Sequence, residues 1–211
     1  MEITDRAVDQ YMLGLLPPRD EVLAEMEALA AKKNIPIIGP VVARIYYQLI
    51  RLNRAQGAQR IFEMGSAIGY STIWAARAAG DGATVYYTDG DPANAKRAED
   101  FIGRAGVRDR VKILTGDALE LLDQTPGEFD VIFCDVDKEQ YPEAFHKAVP
   151  RIRKGGLLLA DNVLWYGRVA QPPEDDATRG IVEFNRLIYA SKELFPTILP
   201  VRDGFAVCEK L

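Results

Sequence analysis

Short apolar runs alternate with amphipathic helical segments through most of the chain, and this alternation constrains the fold more than any other feature of the sequence. An apolar run of five or six residues predicts a buried strand, and apolar spacing of three and four predicts a helix. Strands and helices that alternate in this way form a parallel sheet with helices on both faces. The predicted strands are 60–64, 84–88, 111–115, 130–135 and 156–161, and the helices between them are 71–79, 92–105, 118–124 and 139–152.

The pattern differs at the two ends of the chain. Helical periodicity covers 3–16, 19–33 and 39–54, and a further helix is expected at 177–190. Residues 197–201 and 204–209 predict a closing hairpin, with Arg202 and Asp203 between its strands. We therefore expect one domain, in which a helical cap (1–56) precedes an α/β core (57–211). The irregular stretch 166–178, YGRVAQPPEDDAT, is a candidate active-site flap.

Composition excludes several classes of partner. The chain has 211 residues, 48% of them hydrophobic, and a net charge of −5. An acidic chain without clusters of Lys and Arg is not expected to bind nucleic acid. Its apolar runs, such as 156–160, are too short to span a membrane, and the amino-terminal stretch does not resemble a secretory signal. We interpret Cys134 and Cys208, both in apolar runs, as buried reduced thiols of a cytoplasmic protein.

Acidic residues follow the predicted strands at the point where each strand ends. They are Glu63, Asp89, Asp117, Asp135 and Asp161. Because ligands of an open parallel sheet bind outside the carboxyl ends of its strands, these side chains predict a shared cleft. The alternative is that Asp is common wherever a strand gives way to a loop or a helix. That alternative explains two or three of the positions, but it explains less well an acid that ends a strongly apolar strand.

The glycine-rich stretch 61–71, IFEMGSAIGYS, is not a dinucleotide fingerprint. Ala67 stands where the second glycine of G-x-G-x-x-G belongs, and Glu63 would repel a pyrophosphate. S-adenosylmethionine fits better, because its carboxylate can use backbone N–H groups near Gly65 while its cationic groups suit an acidic edge. Asp89, 24 residues after Gly65, is placed to accept both ribose hydroxyls. Ser71 either supports the start of the helix or contacts the cofactor.

Two further stretches predict a metal site, CDVDKEQY (134–141) and ADNVLW (160–165). Asp135, Asp161 and Asn162 would bring two carboxylates and one amide oxygen to neighbouring strand ends. This oxygen set suits Mg²⁺, with Ca²⁺ as an alternative, and leaves positions open for water and substrate. Zn²⁺ is disfavoured because the sequence offers no cluster of thiolates or imidazoles.

The candidate general base is Lys138, three residues after Asp135. The only histidine, His146, falls on the polar side of a predicted helix and is expected at the surface. A lysine beside a metal cation is destabilised in its charged form and can take a proton from a hydroxyl that the metal has acidified. The competing interpretation is a surface lysine paired with Asp137 or Glu139. Trp165 and Tyr166 either wall the acceptor ring or pack in the core or flap.

With these motifs together the chain resembles the cation-dependent class I O-methyltransferases, the caffeoyl-CoA and catechol O-methyltransferase family. The resemblance covers nearly the whole chain, and the pairing of D-x-D-K with D-N is its most specific part. It also includes FEMGSAIGYS, YTDGDP, GDALELL and the closing RDGFAVCEKL. The stretch IPIIGPVVARIYYQ and the segment QPPEDDATRG depart from the plant members. The former is more like a prokaryotic branch of the family, and both segments would shape the acceptor pocket.

The resemblance implies a Rossmann-like, mostly parallel seven-stranded sheet with the last strand antiparallel, extra amino-terminal helices and a homodimer. It implies that S-adenosylmethionine contacts Glu63, Gly65, Ser71, Asp89, Ala118 and Asp135, and that Asp135, Asp161 and Asn162 hold the metal, with Mg²⁺ favoured over Ca²⁺ or Mn²⁺. Lys138 would be the base. The expected reaction methylates a small aromatic vicinal diol. Two rival classes are an NAD-dependent oxidoreductase and a non-catalytic S-adenosylmethionine-binding protein.

Overall fold

The computed structural model describes residues 3–54 and 59–211. Seven strands form one sheet in the order β3-β2-β1-β4-β5-β7-β6, and within the described chain only β7 runs in the direction opposite to the other six. The predicted seven-stranded, Rossmann-like sheet with an antiparallel last strand is confirmed. The strands are β1 Arg60–Met64, β2 Thr84–Asp89, β3 Val111–Thr115, β4 Phe129–Cys134, β5 Ile152–Asp161, β6 Leu194–Leu199 and β7 Phe205–Lys210.

The helices follow the sequence periodicity closely. Three precede the sheet, as expected, and five lie between or after its parallel strands. They are α1 Arg6–Gly14, α2 Glu21–Lys33, α3 Gly39–Leu52, α4 Tyr70–Ala79, α5 Pro92–Arg104, α6 Ala118–Gln124, α7 Tyr141–Ala148 and α8 Asp176–Ala190. The proposed boundary between cap and core, at 56 and 57, lies outside the described residues.

The sheet is buried on both faces because alternate residues of each central strand enter different cores. Ile61 of β1 packs on one side with α3, α4 and α5, whereas the adjacent Phe62 packs on the other with α6, α7 and α8. In β4, Phe133 and Cys134 divide in the same way. This two-sided burial explains why the strands appear in the sequence as continuous apolar runs.

Several element boundaries differ from the sequence prediction. The helix predicted at 139–152 ends at Ala148, and β5 begins at Ile152 instead of 156. Ile152 has helical spacing from Phe145 and Val149, but it pairs with Phe129 of β4, and that pairing sets the true boundary. In the last hairpin β6 lies at Leu194–Leu199 rather than 197–201. The segment 166–178 is shorter than predicted, because short 3₁₀ turns cover Trp165–Ala170 and α8 begins at Asp176.

The strand order reverses between β1 and β4, which are adjacent and parallel. A crevice opens at such a point, because the connections from the two strands lead to opposite faces of the sheet. The functional residues predicted after these two strands therefore meet at one edge. In the described ranges none of the helices is both long enough and apolar enough to cross a membrane.

Candidate active site

A cavity of about 670 Å³ lies at the carboxyl edge of the sheet, beside the β1–β4 reversal. Most of the predicted site residues line it, and Glu63 and Ser71 do not. Those in its wall are Gly65, Asp89, Ala118, Asp135, Lys138, Asp161 and Asn162. Asp117, which follows β3, also lines the cavity. Carboxylates from the ends of four different strands thus reach one cavity. Local turn preference would not by itself bring them to a common space.

Gly65 makes a turn that no other residue fits without rearrangement. Its φ is +84°, and a Cβ built there would lie 2.3 Å from the backbone oxygen of Asp135. The turn is held by two backbone hydrogen bonds, from Ser66 N to Thr88 O and from Asp135 N to Met64 O, each 2.8 Å long. The glycine therefore lets β1 and β4 approach closely and leaves the backbone of the turn facing the cavity.

Glu63 lies beneath this turn and is fully buried. Its carboxylate accepts hydrogen bonds from Tyr46 Oη at 3.2 Å, from Ser66 Oγ at 3.3 Å and from the Thr72 hydroxyl. Burial raises the pKa of Glu63 to about 7, although these hydrogen bonds and one from Ser71 favour the ionised form. Glu63 thus ties the turn to α3 and α4.

Asp89 is held in a fixed orientation after β2. Its Oδ1 accepts from Asp91 N at 2.8 Å and from Asn94 Nδ2 at 3.2 Å, while Oδ2 has no hydrogen-bond partner among the described residues. Asp89 and Asn94 both line the cavity. The carboxylate therefore has free acceptor capacity, which a pair of hydroxyl groups can use.

Asp161 is a nearly fully buried carboxylate with one unused oxygen. Its Oδ2 accepts from Arg202 at 3.3 Å, whereas the buried Oδ1 has no hydrogen-bond partner among the described residues. Burial is the main cause that raises the pKa of Asp161, followed by the negative charge of Asp135. Asn162 follows with φ +59°, in the left-handed region.

This donor set fits a hard divalent cation. A buried carboxylate oxygen without a partner requires an explanation, and a cation beside Asp135, Asp161 and Asn162 would provide one. No group of three or more His, Cys, Asp and Glu side chains suited to a metal occurs in the described part of the chain. The donors predicted for the site are therefore the carboxylates of Asp135 and Asp161 and the amide of Asn162. Oxygen donors of this kind favour Mg²⁺, Ca²⁺ or Mn²⁺ over Zn²⁺.

Lys138 is not a solvated surface lysine. Its side chain is 12% exposed, and its Nζ donates to Asp135 Oδ1 at 2.8 Å, to Tyr141 Oη at 3.1 Å and to Val136 O at 3.2 Å. Tyr141 is buried and in turn donates to Asp161 O at 2.8 Å. The lysine is therefore linked to both carboxylate-bearing strand ends. His146, by contrast, is exposed, as predicted.

Three residues of the site were not predicted as functional. Tyr141 accepts from Lys138, Asp203 accepts from the backbone N–H of Tyr166, and Arg202 donates to Asp161. From the sequence, Arg202 and Asp203 are predicted only as turn residues of the closing hairpin. Two charged residues in a turn that closes onto the sheet edge are nevertheless a usable signal of a functional role. Trp165 and Tyr166 both line the cavity, and Trp165 also packs against the core on the Phe62 side of the sheet, so both interpretations of Trp165 stay open.

Comparisons with known proteins agree with this geometry. The family model described as O-methyltransferase matches residues 18–211. The chain is 35% identical to a catechol O-methyltransferase of Niastella koreensis over 95% of each sequence, and 29% identical to a caffeoyl-CoA O-methyltransferase of Eucalyptus gunnii over 97% of this chain and 88% of that protein. The crystal structure of an O-methyltransferase from Bacillus cereus in complex with SAH superposes with a TM-score of 0.87 at 34% identity, covering 97% of each chain.

Proposed function

Because the chain belongs to the O-methyltransferase family and is an S-adenosylmethionine-dependent enzyme of the catechol or caffeoyl-CoA type, we propose that it methylates one hydroxyl of a small aromatic vicinal diol with the help of a divalent cation. The observation that carries this proposal is the cavity wall formed by Asp135, Asp161 and Asn162, with Lys138 bonded to Asp135. Mg²⁺ is the ion that we favour.

The cavity residues divide between two tasks. Asp89 would accept the ribose hydroxyls of the cofactor through its unused oxygen, and the Gly65 turn and Ala118 would border the rest of that molecule. Glu63 and Ser71, which lie behind the wall, would act by holding the turn. Trp165 and Tyr166 would flank the acceptor ring. These placements would fix the methyl donor and the acceptor oxygen in line, which lowers the barrier of a bimolecular substitution.

Asp135, Asp161 and Asn162 would hold the cation, which as a Lewis acid would lower the pKa of a nearby acceptor hydroxyl. Lys138, once deprotonated, would take the hydroxyl proton on its Nζ. The acceptor oxygen then forms a bond to the methyl carbon while the carbon–sulfur bond breaks, and the electron pair of that bond stays on sulfur. The products are the methyl ether, S-adenosylhomocysteine and the proton on Lys138.

A panel of small phenols tests the proposal directly. Purified protein with S-adenosylmethionine and Mg²⁺ should methylate catechols and leave monophenols unmodified, as read by mass spectrometry of the products. EDTA should abolish the transfer, and added Mg²⁺ should restore it. Full activity in excess chelator would refute the cation, and equal methylation of monophenols would refute the diol.

The rival classes are set aside by the family. The relatives named as O-methyltransferases support a methyltransferase rather than a nicotinamide enzyme or a non-catalytic S-adenosylmethionine-binding protein. We further propose a single catalytic domain and a homodimer, from the family resemblance, and a cytoplasmic location, which the buried free thiols Cys134 and Cys208 support.

A further inference from the structure

Arg202 occupies a backbone conformation that disfavours a side chain. Its φ is +54°, in the turn between β6 and β7, where an ordinary residue is uncommon and glycine is at ease. The turn is tied to the loop after Asn162 by two backbone hydrogen bonds, from Val163 N to Gly204 O at 3.1 Å and from Leu164 N to Asp203 O at 2.9 Å. A strained residue on a well-held turn suggests that its side chain has a task.

The side chain of Arg202 stands between two cavities. It lines the cavity at the sheet edge, and it also lines a second cavity of about 270 Å³ beneath α1 and the start of α3. The second cavity is walled mainly by apolar side chains, including Met12, Leu13, Ile38 and Val41. An acceptor that extends from the first cavity toward the second would therefore pass the side chain of Arg202.

The guanidinium of Arg202 uses few of its hydrogen-bond donors within the described chain, although the carboxylates of Asp161 and Asp203 both lie near its charge. Two cationic side chains line the described cavities, and Lys138 already has three acceptors within 3.2 Å. Arg202 has one side-chain acceptor in the described chain, Asp161 Oδ2 at 3.3 Å, although its side chain is 44% exposed and a guanidinium carries five N–H donors. Asp9 lines the second cavity too, but it forms no ion pair with Arg202 there.

We propose that Arg202 determines acceptor specificity by binding a carboxylate on the aromatic diol, so that the preferred acceptors are catechol carboxylic acids. This inference rests on the proposed function, because the carboxylate is carried by the aromatic diol that this function assigns to the cavity. Asp161 takes one of the N–H donors of Arg202 in the described chain, so the remaining donors can reach that carboxylate. A guanidinium matches a carboxylate with two parallel hydrogen bonds, and charge-assisted pairs of this kind are stronger than neutral ones. The bound acid would then pair with guanidinium donors that no other side chain of the described residues uses.

The test compares acids with their own methyl esters. The vicinal dihydroxybenzoate and dihydroxycinnamate, each with its ester, are assayed at saturating Mg²⁺ with wild type, Arg202→Gln, Arg202→Lys and the control Arg179→Gln. Arg179 is a similarly exposed arginine that pairs with Asp176 on α8 and does not line the cavity. Binding of each compound to protein with S-adenosylhomocysteine is also measured by calorimetry, without turnover.

For wild type and Arg179→Gln, kcat/KM should favour an acid over its ester by about tenfold or more, mainly through KM, as expected for one charge-assisted pair. Arg202→Gln should bring that ratio to about one, and Arg202→Lys should retain part of it. Equal loss on acid and ester in Arg202→Gln would overturn the proposal, since Arg202 would then act only through Asp161. An ester preference in wild type would also overturn it. If the acid binds through Arg202 but no diol is methylated, the proposed function fails while the carboxylate site stands.

Discussion

Glu63 is a carboxylate that the fold removes completely from water, and this burial sets its effect on stability. Its pKa rises from 4.5 to about 7, so the native state keeps a proton that the unfolded chain has already lost. The resulting stabilisation is fully present below about pH 4.5 and is lost as the pH rises through about 7. Over that window the free energy of unfolding should fall by ~3 kcal/mol through this residue.

Glu63→Gln removes the titration, so its unfolding free energy should depend less on pH than that of wild type. Urea unfolding between pH 5 and 8 gives the difference in unfolding free energy between the two proteins. The contributions of the other titrating groups are the same in both proteins, so they cancel in this difference. Glu128→Gln, at an exposed position, should keep the wild-type slope. Parallel curves for Glu63→Gln and wild type would show that the buried carboxylate is ionised throughout the range.

Lys138 permits a second prediction at the scale of one residue. Lys138→Met keeps the length of the side chain and removes the amine, so kcat should fall by about 10²–10⁴-fold if the amine takes the proton. At high pH, hydroxide should partly replace the amine as the base, so the variant should recover part of its rate. Lys147→Met changes a lysine that pairs with Asp123 outside the cavity, and its rate should stay within about threefold of wild type. Superimposable pH–rate profiles for wild type and Lys138→Met would remove the lysine from the chemistry.

At the scale of elements, the turn that carries Lys138 is fixed by helix α8. A Cβ on Gly180 of α8 would lie 2.2 Å from Lys138 O and 2.8 Å from Glu139 Cα, so the helix and the turn are in direct backbone contact. Gly180→Ala must push the two apart. We expect a loss of ~1–3 kcal/mol in stability and, because Lys138 is displaced, a loss of up to about 10²-fold in kcat.

Gly103→Ala is the matched control, because a Cβ on this α5 glycine meets nothing within 4 Å. It should raise stability by up to ~1 kcal/mol through helix propensity and leave kcat unchanged. Urea unfolding measures the stability of both variants, and steady-state kinetics measures their kcat. A Gly180→Ala protein with wild-type stability and rate would mean that α8 does not position the lysine.

Periodicity predicted the elements of this fold well and their boundaries less well. Strands buried on both faces appear as apolar runs, and the acids that end them predicted the sheet edge. Helical spacing continued through Ile152, however, so the sequence could not reveal that β5 begins there; pairing with Phe129 decides it. The sequence likewise could not reveal that Glu63 lies behind the cavity wall, because hydrogen bonds from α3 and α4 hold it there. Arg202 reaches Asp161 across 41 residues of sequence, a contact that no local pattern encodes.

At the scale of the whole molecule, one sheet edge collects negative charge that the protein by itself does not neutralise. Asp161 is 1% exposed, and in the part of the chain that the structure describes its Oδ1 has no hydrogen-bond partner. Burial raises its pKa, and the negative charge of Asp135 raises it further. A buried charge with an incomplete set of partners costs stability. The edge is therefore expected to be destabilising in the metal-free protein, and a bound cation should offset that cost.

Asp161→Asn tests whether this buried charge lowers the stability of the metal-free protein, since the variant keeps the shape of the side chain and removes its charge. In EDTA the variant should match or exceed wild type in unfolding free energy, by up to ~3 kcal/mol. Mg²⁺ at about 100 times its Kd should stabilise wild type by ~2.7 kcal/mol, because it binds only the native state, and should leave Asp161→Asn unchanged. Asp137→Asn, an exposed neighbour in the same cavity, should respond to Mg²⁺ as wild type does. Urea unfolding with and without Mg²⁺ gives all the values, and an equal Mg²⁺ response in Asp161→Asn and wild type would place the cation elsewhere.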